Sequence, residues 1–202
     1  MRSSRTLIWG GVFAAGIALG AAGRVASVQI LDIDGRTQTP FEPAGAASLI
    51  VFVATDCPVS NSYAPEIQRV CREYGPRGLS CYLIYEDVET PGAPLDDEVR
   101  KHMREYGYSS IPAAVDRSRA IAKRANASVT PQAVVIDRAE QIRYRGRIDN
   151  FYAALGKPRQ RVTEHDLRNA LDAVLSGRTV PKRETEPVGC YIVDPAVVRK
   201  GS

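Results

Sequence analysis

The sequence predicts a three-layer α/β sandwich in which helices cover a mixed β-sheet. Two apolar runs, ASLIVFVAT at 47–55 and GLSCYLIYED at 78–87, alternate with helical segments, as expected for parallel strands buried on both faces. Two further extended segments, TPQAVVID and QIRYRGRID, follow each other across a short RAE connection and predict an antiparallel hairpin. An amphipathic helix over 163–177 then completes the sandwich.

Each remaining element has its own local signal. The segment SVQILDIDGRTQTPFE contains two extended pieces around an Asp-Gly turn and predicts a second hairpin. After the strand at 47–55, helical spacing predicts a helix that ends at Gly75. The stretch 94–107 begins with acidic residues and ends with glycine, which predicts a surface helix with a solvated His102. SIPAAVD and RSRAIAKRANA predict a short strand and a further helix.

Residues 1–23 have the pattern of an export signal. Arg2 and Arg5 precede an uncharged run that ends in the small residues GAAG. The run is also long enough to serve as an uncleaved N-terminal membrane anchor. In both cases the rest of the chain is predicted to be exported, into a periplasm or held at the inner membrane. It divides into a domain over 28–177 and a tail over 178–202 that carries Cys190.

Composition excludes several classes of function. The formal net charge of +4 is too small to indicate a nucleic-acid partner. The chain has four cysteines and two histidines, with no C-x-x-C pair and no His at metal-ligand spacing. No metal and no other cofactor is therefore predicted.

Cys57 is the leading candidate for chemistry, because it follows a buried strand directly and precedes a helix. Reactive groups of α/β sheets lie at this end of the strands. Backbone N–H groups at a helix start stabilise a thiolate, Asp56 is expected to cap the helix, and Pro58 suits its first turn. The charge of Asp56 opposes thiolate formation. The alternative is a buried structural cysteine.

Two stretches carry a resemblance to known proteins. VFVATDCPVS followed by a helix, and then SVTPQAVVIDRAEQIRYRGRID, resemble the thioredoxin superfamily. CPVSNSYAPEI, RYRGRID and the tail ETEPVGCYI are similar to exported peroxiredoxin-like redoxins of the alkyl hydroperoxide reductase/thiol-specific antioxidant type, over roughly 28–194. The resemblance implies a thioredoxin-like fold with a cis Thr130–Pro131 bond facing Cys57. It also implies that Pro58, Ser60, Thr130 and Pro131 contact the substrate.

Two departures from these families bear on mechanism. Ser60 stands where thioredoxins have the second cysteine of C-x-x-C. Ser60 also stands where peroxiredoxins have the peroxidatic cysteine of P-x-x-x-[TS]-x-x-C, with Val53 and Cys57 at the Pro and Thr/Ser positions. Cys190 is thus the candidate resolving thiol if the tail folds back, and otherwise it pairs structurally or lies in a mobile tail. Cys71 and Cys81 form a structural disulfide or remain buried thiols.

Three functions remain open at this point. The first is an exported thiol–disulfide oxidoreductase that acts on protein or small-molecule thiols and disulfides, with Cys57 as nucleophile and Cys190 as resolving thiol. The second is a thiol-dependent peroxidase in which a hydroperoxide converts Cys57 to a sulfenic acid. The third is a non-enzymatic binding module with structural cysteines, which deep burial of Cys57 would favour.

Overall fold

A computed structural model of the chain describes residues 28–87 and 94–193, and the predicted export segment 1–23 lies outside the described residues. The strands are β1 (Ile30–Leu31), β2 (Thr37–Gln38), β3 (Ala47–Val53), β4 (Leu79–Tyr85), β5 (Ala113–Val115), β6 (Val129–Thr130), β7 (Gln132–Asp137), β8 (Ile142–Gly146), β9 (Tyr152–Ala154), β10 (Lys157–Pro158) and β11 (Cys190–Tyr191). The helices are α1 (Pro58–Ser62), α2 (Ala64–Tyr74), α3 (Leu95–Glu105), α4 (Ala120–Ala125) and α5 (Asp166–Leu175), with a short 3-10 helix at Gly75–Arg77.

The central mixed sheet has the strand order β5-β4-β3-β7-β8. β3, β4 and β5 are parallel, whereas β7 runs antiparallel to both β3 and β8. Val53 at the end of β3 lies opposite Tyr85 at the end of β4. Because the parallel strands end at one edge, the segments that follow them meet there. The predicted α/β sandwich, with parallel strands and a later antiparallel hairpin, is confirmed.

Side chains of β3 alternate between two apolar clusters on opposite faces of the sheet. Leu49, Val51 and Val53 pack with residues of α2, α3 and α5. Ile50 and Phe52 pack with residues of α4. All five side chains are buried, and each such burial contributes about 1.5–3 kcal/mol. The end of β3, which carries the candidate cysteine, is therefore anchored from both sides.

The helix that follows Cys57 is interrupted, whereas the sequence pattern predicts a continuous helix. α1 ends at Ser62 and α2 begins at Ala64, with Tyr63 between them. Pro65 in the first turn of α2 has no backbone N–H and cannot extend the hydrogen bonding of α1. The helix beside the sulfur is therefore only five residues long. A helix dipole of this length stabilises a thiolate less than the sequence analysis expects.

The prediction of a solvated His102 is wrong. α3 turns Leu95 and Val99 towards the core, and His102 lies on the same side and is only 5% exposed. Its Nδ1 accepts a hydrogen bond from Tyr85 Oη, and its Nε2 donates one to Asn61 Oδ1, both at 2.9 Å. Burial lowers the pKa of His102, so that the ring stays neutral within this network.

Candidate active site at the Thr130–Pro131 loop

Cys57 lies in the turn between β3 and α1. Its Sγ donates a hydrogen bond to the carbonyl oxygen of Thr130 at 3.1 Å and accepts one from the N–H of Ser60 at 3.4 Å. Cys57 itself is the N-cap of α1, because Pro58 already occupies the first helical turn. The predicted cap at Asp56 is therefore wrong. The side chain of Cys57 is 0% exposed.

Pro58 and Ser60, both predicted to contact the substrate, have different surroundings. Pro58 is exposed at the start of α1. Ser60 is 1% exposed, and its hydroxyl has no hydrogen-bond partner among the described residues. The contribution of Ser60 to this site in the present conformation is its backbone N–H, which points at the Cys57 sulfur.

The loop that faces Cys57 contains a cis peptide bond between Thr130 and Pro131, as the resemblance implies. Gln132 supports this loop, since its Oε1 accepts hydrogen bonds from the N–H groups of Ser128 at 2.9 Å and Val129 at 3.4 Å. Sequence reasoning missed Gln132. The available signal was a polar residue at the start of an otherwise apolar strand.

The C-terminal tail folds back onto the same loop. β11 pairs antiparallel with β6, so that Cys190 lies opposite Thr130. A Cβ atom on Gly189 would lie 1.9 Å from the carbonyl oxygen of Thr130, which only glycine avoids. Gly189 is thus a site residue that sequence reasoning missed, and its available signal was a glycine directly before the tail cysteine.

Two further groups of contacts hold the tail in place on either side of Cys190. Before the cysteine, the Thr185 hydroxyl bonds with Tyr144 Oη at 2.6 Å. After it, the N–H of Ile192 donates to the carbonyl oxygen of Ser128 at 2.9 Å. The tail is therefore fastened to the domain both before and after its cysteine.

The two free thiols, Cys57 and Cys190, are neighbours at this loop. Burial raises the pKa of Cys190 to about 12, with smaller contributions from a hydrogen bond with Cys57 and from the charges of Cys57 and Asp56. Cys190 is therefore a protonated thiol at neutral pH. One thiol reaches the loop from the end of β3 and the other from the tail, and together they form a candidate redox pair.

A cavity of about 570 Å³ opens beside Cys190. Its walls are formed by the segments after β3 and β4, by α3, by the cis-proline loop and by the tail. The lining residues are Ala54, Thr55, Asp56, Glu86, Asp87, Glu98, Thr130, Cys190, Tyr191, Ile192 and Val193. Cys57 is not among them, so that Cys190 is the sulfur that faces the open space.

Glu86 and Arg119 form a buried ion pair at this cavity, with Arg119 Nη1 3.0 Å from Glu86 Oε2. Arg119 also donates to the carbonyl oxygens of Asp116 at 3.0 Å and Val193 at 3.1 Å. Burial, together with the charges of Asp116 and Asp87, raises the pKa of Glu86 to about 9 despite the guanidinium. The sequence analysis missed this pair. Its signal was an acidic residue directly after an apolar strand.

Thr55, two residues before Cys57, is fixed by polar side chains from other elements. Asn61 Nδ2 donates to the carbonyl oxygen of Thr55 at 3.0 Å, and Asn61 Oδ1 accepts from His102. The N–H of Thr55 donates to Asp87 Oδ1 at 2.8 Å. This network positions the turn that carries the sulfur, and nothing in the local sequence pattern indicates it.

Cys71 and Cys81 form a disulfide that joins α2 to β4. Their Cα atoms are 5.9 Å apart, within the ordinary range for such a bond. They border a different cavity, lined also by Leu79 and Pro112. This second pair of cysteines therefore lies apart from the Thr130–Pro131 loop.

Two further observations concern only residues 28–87 and 94–193. In these ranges no cluster of three or more His, Cys, Asp or Glu side chains is arranged to hold a metal ion. No helix within them is long and apolar enough to cross a membrane, and the segment predicted as signal or anchor is not part of them.

Comparison with known proteins identifies the family and the fold. The model of the AhpC/TSA family matches residues 23–145. An uncharacterized conserved protein from Geobacillus kaustophilus is 28% identical, with a TM-score of 0.72 over 84% of this chain and 90% of that one. A hypothetical protein from Sinorhizobium meliloti 1021 is also 28% identical, with a TM-score of 0.70 over 88% of this chain and 95% of that one.

A more distant likeness shows the fold alone. A structure of MTB DsbF in its mixed oxidized and reduced forms has a TM-score of 0.55 at 12% identity, over 73% of this chain and 95% of that one. No curated protein matches the chain. The fold is thioredoxin-like, and the family and fold together suggest a redox activity based on thiols.

Proposed function

Because the chain belongs to the AhpC/TSA family, we propose that it is an exported thiol–disulfide oxidoreductase with Cys57 and Cys190 as its redox pair. One observation carries the proposal, namely the convergence of both thiols on Thr130. Cys57 donates to the Thr130 carbonyl at 3.1 Å, and Cys190 is paired opposite Thr130. The reaction needs no cofactor, since the two thiols themselves store the electron pair.

The proposed reaction exchanges two electrons and two protons between the protein and its substrate. When Cys57 and Cys190 form a disulfide, a substrate disulfide is reduced to two thiols. In the opposite direction, the protein disulfide is reduced while two substrate thiols are joined. Each exchange step breaks one sulfur–sulfur bond and forms another. Protein and small-molecule thiols or disulfides are the proposed partners.

The burial of Cys57 bears on the order of these steps. Direct attack by Cys57 on an external disulfide, the order expected from the sequence, requires the tail to leave, because Cys57 is 0% exposed. We propose instead that Cys190, which lines the cavity, carries the substrate and that Cys57 is the nucleophile inside the pair. A substrate thiolate attacks the Cys190 sulfur of the protein disulfide. Cys57 then leaves as a thiolate that accepts the N–H of Ser60.

The protonation of Cys190 favours this direction of exchange. Because its pKa is raised, Cys190 is mainly protonated at neutral pH, so that the reduced protein attacks an external disulfide slowly at this sulfur. The oxidised protein has no such limitation, because the attacking thiolate belongs to the substrate. We expect oxidation of substrate thiols to be the faster reaction.

The proposal is tested by disulfide mapping and by exchange kinetics. The mature protein is treated with a mild oxidant, its free thiols are alkylated, and its peptides are mapped without reduction. A Cys57–Cys190 peptide is expected beside the Cys71–Cys81 peptide. Cys57→Ala and Cys190→Ala should each lose exchange by about 100-fold or more, whereas the Cys71→Ala/Cys81→Ala control keeps it. Full exchange by Cys57→Ala would overturn the proposal.

A thiol-dependent peroxidase is the second candidate, and family membership is the observation that favours it. Against it, the buried Ser60 hydroxyl stands at the peroxidatic position of that family and cannot form a sulfenic acid. Titration of Cys190→Ala with a small excess of hydroperoxide distinguishes the two functions, since a peroxidase without the neighbouring thiol accumulates sulfenate on Cys57. A non-enzymatic module, which the burial of Cys57 favours, would leave Cys57 and Cys190 free under the mild oxidant.

Export is proposed from the signal pattern of residues 1–23. The Cys71–Cys81 disulfide supports it, because such bonds persist in oxidising compartments and are rare in reducing ones. Fractionation of the source cells, with sequencing of the mature N-terminus, distinguishes a cleaved periplasmic protein from one anchored at the inner membrane.

A further inference from the structure

The cavity beside Cys190 has acidic walls. Among the described residues that line it, four carry carboxyl groups and none is a lysine, arginine or histidine; the four are Asp56, Glu86, Asp87 and Glu98. The four acidic side chains come from three separate parts of the chain, namely the turn before Cys57, the segment after β4 and the first turn of α3. The acidic character is therefore a property of the cavity and not of one sequence segment.

The wall contains a buried carboxyl group, that of Glu86, whose hydrogen bonding is incomplete among the described residues. The Glu86 side chain is only 1% exposed, and its Oε1 has no hydrogen-bond partner among the described residues. An unsatisfied buried polar group costs about 1–3 kcal/mol. A cationic donor bound beside Glu86 satisfies the carboxyl and favours its ionised form, which burial otherwise disfavours. An ammonium or guanidinium group supplies several such donors.

The rim of the cavity adds a surface that suits a cation. Tyr191 follows Cys190 directly, lines the cavity and is 83% exposed. The face of a tyrosine ring attracts ammonium and guanidinium groups. Arg119, which contacts Glu86, is committed to that carboxyl group and to backbone carbonyls. Within residues 28–87 and 94–193, neither Asp56 nor Glu98 forms an ion pair.

We propose that this cavity binds the part of the substrate next to its sulfur and selects thiols that carry a positive charge. The inference rests on the exchange reaction at Cys190 proposed above. The volume of about 570 Å³ admits a small aminothiol or a cysteine between basic residues of a peptide. Both sources share the same chemistry, a thiol with a neighbouring cation.

The expected selectivity follows from simple electrostatics. A unit charge a few ångströms from one carboxylate, at a dielectric close to that of water, changes a rate by about threefold, in opposite directions for a cation and an anion. Asp56 and Glu98 together should therefore favour a cationic over an anionic thiol by about tenfold or more. Salt should weaken this preference, because the cavity is open to solvent.

The experiment measures reduction of the oxidised protein by cysteamine, mercaptoethanol and mercaptoacetate, which are cationic, neutral and anionic. Each rate is divided by the rate of the same thiol with dithiodiethanol, which removes differences in intrinsic nucleophilicity. Three tripeptides with a central cysteine between lysines, glycines or glutamates form a second arm, which separates a peptide substrate from a small aminothiol. The reactions are quenched by alkylation and analysed by mass spectrometry.

The matched variants are Glu98→Gln, in the cavity wall, and Asp97→Asn, which is exposed in the same helical turn but does not line the cavity. Glu98→Gln should lower the ratio of cationic to anionic rates by about threefold or more, and Asp97→Asn should leave it unchanged. A salt concentration of about 0.5 M should also reduce the ratio in the unaltered protein.

The outcomes separate this inference from the proposed function. If none of the thiols reduces a Cys57–Cys190 bond, the exchange function and the inference both fail. If all the thiols react but the normalised ratio of cationic to anionic rates is one or lower, the exchange function stands and the cationic selectivity is refuted. The same conclusion follows if Glu98→Gln leaves that ratio unchanged. A preference for cations that depends on Glu98 and on salt supports the inference.

Discussion

The two cysteine pairs of this chain differ in how the fold brings them together. Cys71 and Cys81 are separated by ten residues, join α2 to the neighbouring β4 and are bonded. Cys57 and Cys190 are free and meet only because the tail returns to pair with Thr130. The bonded pair closes a short local loop, whereas the free pair depends on long-range packing. The fold thus keeps a structural cross-link separate from the thiols that remain able to react.

The polar groups around the free pair are also less completely hydrogen-bonded. Ser60 Oγ, Glu86 Oε1 and Asp87 Oδ2 are buried there without a hydrogen-bond partner among the described residues. Such groups lower the stability of the native state. Local costs of this kind are typical of functional sites, where binding or chemistry compensates for them. The bonded pair is therefore expected to add stability, and the end of the sheet that holds the free pair is expected to reduce it.

Among variants that keep both sulfurs of the free pair, the largest loss of exchange is expected when Cys57 and Cys190 are moved apart. In Gly189→Ala the new Cβ would lie 1.9 Å from the Thr130 carbonyl oxygen, so that the tail has to move away from the loop. We expect thiol–disulfide exchange to fall by about tenfold or more, because Cys190 is no longer held beside Cys57. The measurement is the rate at which oxidised protein is reduced by a neutral thiol.

Gly75→Ala is the matched control, since a Cβ at Gly75 meets no atom within 4 Å and the φ angle there is −52°. It should exchange at the rate of the unaltered protein. If Gly189→Ala exchanges equally fast, the position of the tail is unimportant for the reaction.

The second prediction concerns the bonded pair. In Cys71→Ala/Cys81→Ala the cross-link across ten residues is lost, which should lower the free energy of unfolding by about 2–3 kcal/mol through the entropy of the unfolded chain. Urea denaturation of the variant and of the unaltered protein measures this difference. Exchange by the folded variant should stay within about twofold of the original rate. A loss of exchange comparable to that of Cys57→Ala would contradict the separation of the two pairs.

The third prediction concerns the pH dependence of stability at the cavity. Because the pKa of Glu86 is raised from 4.5 to about 9, the folded protein holds one more proton than the unfolded chain between these values. Stability therefore decreases as the pH rises through this window, by at most about 1.4 kcal/mol per pH unit. Glu86→Gln should flatten this decrease. Urea midpoints of Glu86→Gln and of the unaltered protein, measured between about pH 6 and about pH 9, test this prediction. Asp97→Asn is the control. Parallel plots of midpoint against pH for Glu86→Gln and the unaltered protein would refute the prediction.

Much of the frame follows from local sequence patterns. Apolar runs identify β3 and β4, turn residues and alternation identify the β7–β8 hairpin, and the position of Cys57 between a strand and a helix follows directly. The polar groups of the site are less accessible from sequence. His102 and Glu86 are charged or polar by type, and solvent exposure is the default expectation for such residues. These two residues are buried because other parts of the chain cover one side of α3 and one end of β4.

Local patterns are sufficient to predict the α/β frame and the cysteine at the end of a buried strand, because periodicity and turn chemistry act over a few neighbouring residues. Short motifs around Cys57 and Thr130–Pro131 carry the family resemblance. Three features become apparent only in the folded chain: the tail returns to Thr130, Cys190 and not Cys57 faces the cavity, and acidic groups from three segments surround that cavity. These contacts join residues distant in the chain. Their formation depends on close packing, such as that of Gly189 against the Thr130 carbonyl, which no local pattern encodes.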